Sequence, residues 1–227
     1  MLDQLITQNI SEIHDRIQQA AEPFGRDPAE IHLVSVSKKQ PDERIQAALD
    51  AGHRLFGENM VQEAQTHWAE RRAKYDDLVL HLIGPLQTNK VKDAVALFDC
   101  IETLDRPKLA DKLATEMEKQ GRQLSFFIQV NTGEEEQKAG VLPRDLEEFF
   151  DYCVNNCGLD VRGLMCIPPV NEPSALHFAF LQKLATGLGL CDLSMGMSGD
   201  FEKAVPLGAT YVRVGTAIFG DRVLPVR

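Results

Sequence analysis

Apolar residues along this chain follow two different periods. At the N-terminus Leu2, Leu5, Ile6, Ile10, Ile13 and Ile17 recur every three or four residues, so residues 1–25 predict an amphipathic helix packed on the body that follows. Beyond it, short apolar runs alternate with helical patterns. The runs His32–Ser37, Arg54–Gly57, Leu78–Gly84, Cys100–Thr103, Ser125–Asn131, Val161–Ile167, Cys191–Gly196 and Tyr211–Gly215 read as strands. Asp42–Ala51, Met60–Lys74, Thr88–Leu97, Pro107–Gln120, Pro143–Asn156, Pro173–Gly187 and Phe201–Leu207 read as helices. Three of these open on proline, which is tolerated in a first turn because its missing N–H would have no partner there.

Alternation of strand and helix implies a parallel sheet. An open doubly wound sheet would show fewer strands and a glycine-rich phosphate turn after the first, whereas the first turn here reads SKKQP. Eight units favour closure. The expected fold is therefore α/β, a single (β/α)8 TIM-type barrel over residues 1–227 with an extra N-terminal helix. In such barrels chemistry gathers where the strands end at their C-terminal side. Those ends are polar here: Ser37 with Lys38, Glu58 with Asn59, His81 with Gly84 and Gln87, Thr103, Asn131, Met165 with Pro168, Met197 with Ser198, and Gly215 with Thr216.

Composition narrows the function. Acidic residues outnumber basic ones, 34 to 24, for a net charge of -10, which argues against broad contact with a nucleic-acid backbone. The five cysteines are odd in number and form no CxxC pair, so a disulfide framework is not expected. Cys153 and Cys157 lie four apart on a predicted helix without partners at zinc-site spacing, so they read as buried thiols and no metal site is expected. The start lacks a signal-peptide pattern, and no apolar run approaches ~18 residues, so a soluble cytoplasmic protein is expected.

The candidate chemistry starts at Lys38, which the apolar strand HLVSVS delivers to its C-terminal edge. A partly desolvated lysine is a usable nucleophile toward a carbonyl, whereas a solvated lysine merely ends the strand. SMGMSGDFEKA (Ser194–Ala204) and VRVGTAIFG (Val212–Gly220) then place glycines and the hydroxyls of Ser198 and Thr216 at the last two strand ends. Phosphate sites recur after strands seven and eight of such barrels; N-capping by Ser198 and a glycine turn at Gly215 are the alternative. Arg213 shares a strand face with Gly215 and so points into the barrel, where it needs an anion or an acceptor such as a heterocyclic nitrogen; the alternative is an outward arginine on a helix carboxylate. An amine, a guanidinium and a phosphate cradle together match pyridoxal 5'-phosphate.

VSVSKKQP, LFGENMVQEA, HLIGPLQTNK, QVNTGEEEQKAG, RGLMCIPP, LSMGMSGDFEKA and VRVGTAIFG, in this order from Leu33 to Gly220, resemble the pyridoxal phosphate homeostasis protein family. The resemblance implies a barrel similar to the N-terminal domain of alanine racemase. It also implies the cofactor as an internal aldimine on Lys38, its phosphate on Ser198, Gly215 and Thr216, and its ring nitrogen near Arg213. Asn59 and Met197 complete the expected cofactor-binding set. The family binds the cofactor and regulates its free pool without an assigned reaction, so a carrier that supplies PLP-dependent apo-enzymes is expected, as a monomer. The alternative is a racemase-like enzyme acting on amino acids; racemases of this fold draw one of two bases from a second domain absent from these 227 residues. The resemblance points to Lys138 as an additional lysine in transfer, but Gln40 stands where many relatives have a second lysine and the tail DRVLPVR contains none. Lys39, Lys90 and Lys138 are then the remaining candidates for a relay.

Overall fold

The structure, a computed structural model, describes residues 2–220; the lysine-free tail from Asp221 to Arg227 lies outside the described residues. Eight strands form a closed barrel in sequence order: β1 His32–Val36, β2 Leu55–Glu58, β3 Val79–Leu82, β4 Cys100–Leu104, β5 Ser125–Gln129, β6 Asp160–Met165, β7 Asp192–Met197 and β8 Tyr211–Val214. Every pairing is parallel, and β8 returns to β1 through Leu33 opposite Val212 and Val34 opposite Arg213. Parallel neighbours need crossovers, and the chain supplies helices for them: α2 Asp42–Asp50, α3 Val61–Arg72, α4 Val91–Leu97, α5 Pro107–Gln120, α6 Leu146–Asp151, α7 Ser174–Gly187 and α8 Phe201–Ala204, with α9 Thr216–Phe219 following β8.

Alternation along each strand sorts side chains into two layers. Leu33, Leu80, Leu82, Ile101, Phe126, Ile128, Leu164, Leu193, Met195, Val212 and Val214 join one continuous core with the helices. The opposite face points into the barrel, where Cys100, Phe127 and Met165 pack with Tyr211 as a separate small cluster.

The predicted N-terminal helix is α1, Leu2–Ala21, ending in a 3-10 turn over Glu22–Phe24. It buries Ile6, Ile10, Ile13, Ile17 and Ala21 and packs on α2, α8 and α9, beside the seam where β8 meets β1. Each buried isoleucine contributes roughly 1.5–3 kcal/mol. Asn9 Nδ2 also donates to the Ile218 carbonyl at 2.7 Å, tying α1 to the end of the barrel.

Three predicted helices come out differently. Thr88–Leu97 starts as a 3-10 turn over Thr88–Lys90 before α4. Pro143–Asn156 is a 3-10 turn, then α6, then a π-helical turn over Tyr152–Asn156. Phe201–Leu207 is helical only to Ala204 and continues as a 3-10 turn, since Pro206 has no N–H to extend the α ladder. The helix α9, four residues long, has no sequence prediction at all.

Candidate functional site

Lys38 sits on a turn that closes with the Gln40 N–H donating to the Ser37 carbonyl at 3.1 Å. The turn is pinned to β2. Ser37 Oγ donates to Glu58 Oε1 at 2.7 Å, and the same carboxylate oxygen accepts from Trp68 Nε1 at 3.0 Å and pairs with His67 Nδ1 at 2.8 Å. Glu63 accepts the Lys39 backbone N–H on the turn's outer side. Two carboxylates therefore fix the backbone that carries Lys38, which a strand end alone would leave loose.

All seven predicted residues, Lys38, Asn59, Met197, Ser198, Arg213, Gly215 and Thr216, line one cavity of ≈ 260 Å³ at the C-terminal mouth of the barrel. Gln40, Ile83, Ile167 and Gly199 also line it. Asn59 reaches its place because Gly84 passes directly under it: a Cβ at position 84 would stand 2.2 Å from the Asn59 carbonyl oxygen.

The last two strand ends form a hydroxyl and glycine rim. The Gly215 N–H donates to Ser198 Oγ at 3.3 Å, joining the loop after β7 to the end of β8. Ser198 is therefore not an N-cap of α8; that position belongs to Asp200, whose carboxylate accepts from the Met197 N–H at 2.7 Å instead of capping the helix. Gly196 lets the chain turn here, with φ at +88° and a would-be Cβ only 2.8 Å from Phe201 Cα.

Arg213 points inward, 4 % exposed, and also borders the cavity. Its guanidinium is paired below the cavity: Nη1 donates to Ser194 Oγ at 2.6 Å, Nη2 to the Cys166 carbonyl at 2.9 Å, and Glu102 Oε2 lies 3.9 Å away. Ser194 Oγ donates to Glu102 Oε2 at 2.5 Å, and His81 Nδ1 meets Glu102 Oε1 at 2.6 Å. This array joins β3 and β4 to β7 and β8 across the barrel, so all four side chains face inward. Burial pushes the Glu102 carboxyl up, but His81, Arg213 and Ser194 hold it below the usual carboxylate value. Burial likewise opposes a charged His81, yet the Cys100 sulfur and the Glu102 carboxylate outweigh it and hold the imidazole up at about 10. Arg213 thus has the anion that a buried guanidinium requires.

Glu102 and Ser194 escaped the sequence reading, although each left a signal. Glu102 is a carboxylate inside the apolar run CIETL, and Ser194 interrupts DLSMGM; polar residues at inward strand positions need partners. Thr103, a polar strand end, is structural, donating to the Gly84 carbonyl at 2.8 Å. Lys138 is not brought to the cavity. Its Nζ pairs with Glu135 Oε2 at 2.5 Å, in a loop that Asn131 holds through the Glu135 carbonyl and N–H. Lys39 and Lys90 line a neighbouring groove that shares Lys38 and Asn59 with the cavity.

The profile of the family described as "Alanine racemase, N-terminal domain" matches residues 9–223. A Pyridoxal phosphate homeostasis protein of Pseudomonas aeruginosa is 41 % identical over 224 residues, covering 96 % of each chain. The structure of PipY from Synechococcus elongatus PCC7942, solved with PLP bound, is 34 % identical with a TM-score of 0.82 and covers 95 % of this chain and all, 100 %, of that one. Alanine racemase of Clostridium difficile 630, 14 % identical, shares the fold at a TM-score of 0.72, with 98 % of this chain and 58 % of the racemase covered. Near-complete coverage at this identity places the barrel with its relatives: the chain belongs to the pyridoxal phosphate homeostasis protein family.

Proposed function

We propose that this chain binds pyridoxal 5'-phosphate in the barrel-mouth cavity, held as a Schiff base on Lys38, and serves in homeostasis of the cofactor. The observation that carries the reading is the meeting of three kinds of donor in one cavity: the Lys38 amine, the Arg213 guanidinium, and the Ser198, Gly215 and Thr216 rim. When bound, the cofactor supplies an aldehyde able to condense with a primary amine. Lys38 is placed to engage that aldehyde, the rim to bind the phosphate through hydroxyls and uncrowded backbone N–H groups, and Arg213 to face the ring nitrogen. Asn59 and Met197 close the sides. The solved relative PipY, with PLP bound, supports the same reading.

Holding the cofactor fits these residues better than using it. Apart from Lys38, the only ionisable side chain on the cavity wall among the described residues is Arg213, so no second proton-transfer base stands opposite the lysine. A guanidinium at the ring nitrogen also weakens the cofactor as an electron sink. The racemase-like alternative lacks a base on this wall. We read the protein as a cytoplasmic monomer that supplies PLP-dependent apo-enzymes.

The test is direct. Protein incubated with pyridoxal phosphate should turn yellow, borohydride should bleach the yellow while fixing the cofactor covalently to Lys38, and Lys38→Ala should abolish both the colour and the covalent adduct. A colourless wild type that cannot be loaded would overturn the reading. For the carrier role, loaded protein is mixed with a PLP-dependent apo-enzyme; activation faster than release of cofactor into buffer supports handover, and activation at the release rate refutes it.

A further inference from the structure

A groove of ≈ 730 Å³ opens beside the cavity and shares Lys38 and Asn59 with it. Although the chain carries a net charge of -10, this groove is basic: Lys39, Lys90 and Arg106 join Lys38, against Glu63 and Asp105. Both carboxylates are already engaged. Glu63 accepts the Lys39 backbone N–H, and Asp105 Oδ1 accepts from Arg106 Nη1 at 2.5 Å. The Lys39 and Lys90 ammonium groups have no ion pair among the described residues.

Lys39 adds an independent observation, since its φ of +57° lies in the left-handed region. Glycine adopts that conformation without strain and lysine does not. The turn itself gains nothing from a side chain at this position. What glycine would lack is the ammonium group on the groove wall.

We propose that this groove binds the carboxylate of a small amine-bearing acid, of the amino-acid class, and presents its amine to the carbon held by Lys38. The proposal rests on reading Lys38 as the cofactor tether. A carboxylate matches the two ammonium groups left without an ion pair, and a primary amine is the group able to exchange with a lysine-held carbonyl carbon. In the exchange the incoming nitrogen bonds to that carbon and the bond to Lys38 Nζ breaks. Lys38 leaves as an amine carrying the proton the incoming nitrogen gave up; no electron is transferred and no water consumed. The groove then acts as a release port, freeing the tether when amino acids are plentiful.

Glycine and methylamine, which differ by the carboxylate alone, test this. Protein loaded with pyridoxal phosphate is mixed with either at equal free-amine concentration, and cofactor release is followed by rapid filtration. Glycine should release faster and saturate. In a Lys39→Gly, Lys90→Ala double variant its advantage should fall about 4-fold, roughly 2-fold per lost ion pair, while the methylamine rate stays unchanged. Lys39→Gly accepts the existing backbone, so a melting curve should show the fold intact. Equal release by both amines in the wild type, or a variant that slows both alike, would overturn the proposal. If the protein takes up no cofactor, the tether reading fails instead, and the groove is still tested on unloaded protein. There, glycine but not methylamine should shift the amide NMR signals of Lys39 and Lys90; no shift rejects the site.

Discussion

Replacing Glu102 by glutamine probes the array that makes an arginine tolerable inside the barrel. Glu102 is 0 % exposed and lies between His81 Nδ1 at 2.6 Å and Ser194 Oγ at 2.5 Å, with Arg213 Nη1 at 3.9 Å. Glutamine keeps the shape but puts a neutral amide between two cations. Removing one partner of a buried pair costs about 3–5 kcal/mol, and His81 can relieve part of this by losing its proton, so about 3 kcal/mol is expected. For a chain of this length that lowers Tm by about 6–12 °C. Urea unfolding followed through Trp68, the chain's 1 tryptophan and itself buried, measures the loss. The pH dependence carries a second expectation. His81 stands at about 10 in the fold against 6.5 when unperturbed, so its contribution is full below about pH 6.5 and is lost as pH rises through about 10. Part of that contribution depends on the Cys100 sulfur and part on Glu102. The stability gap between wild type and Glu102→Gln should therefore narrow from pH 7 to pH 10, without closing, because Arg213 stays charged. A variant within ~0.5 kcal/mol of wild type at pH 7, or a gap that stays constant with pH, would show that Glu102 does not neutralise the two buried cations.

Gly84→Ala should destabilise by about 1–3 kcal/mol and weaken cofactor uptake, because its Cβ drives the Asn59 backbone out of place; paired denaturation and titration curves check both. Ser198→Ala removes the acceptor of the Gly215 N–H and should cost about 1 kcal/mol, with a further loss of phosphate affinity visible by competition with inorganic phosphate. Trp68→Phe strips one donor from buried Glu58 and should cost about 1–3 kcal/mol by thermal unfolding. Lys39→Gly should raise stability by about 0.5–1 kcal/mol in the same assay, since glycine relieves the left-handed backbone.

Local periodicity was enough for the barrel and for the membership of the cavity. Period-2 runs separated by helical periods are a local signal, so eight strands were legible, and the barrel rule then assigned Lys38, Ser198 and Thr216 to one mouth. Arg213 was placed inward by its strand phase relative to Gly215. Helix interiors depended on more than periodicity: Pro206 stops α8, and the stretch after Pro143 loosens into a π turn, because chain breaks there answer to backbone hydrogen bonding and packing against neighbours.

What each site residue rests on became visible only in the closed barrel. Glu102 and Ser194 lie 92 residues apart, and the barrel must close before they can meet and neutralise Arg213. Glu58 and Glu63 fix the Lys38 turn through long-range bonds that no local pattern announces. Lys138, promising in sequence, is drawn to Glu135 and away from the cavity, while Lys39 is left on a groove wall beside it. Periodicity reports which way a side chain faces. Which charge it meets there depends on contacts between distant strands, and those exist only once the sheet has curled through its full turn.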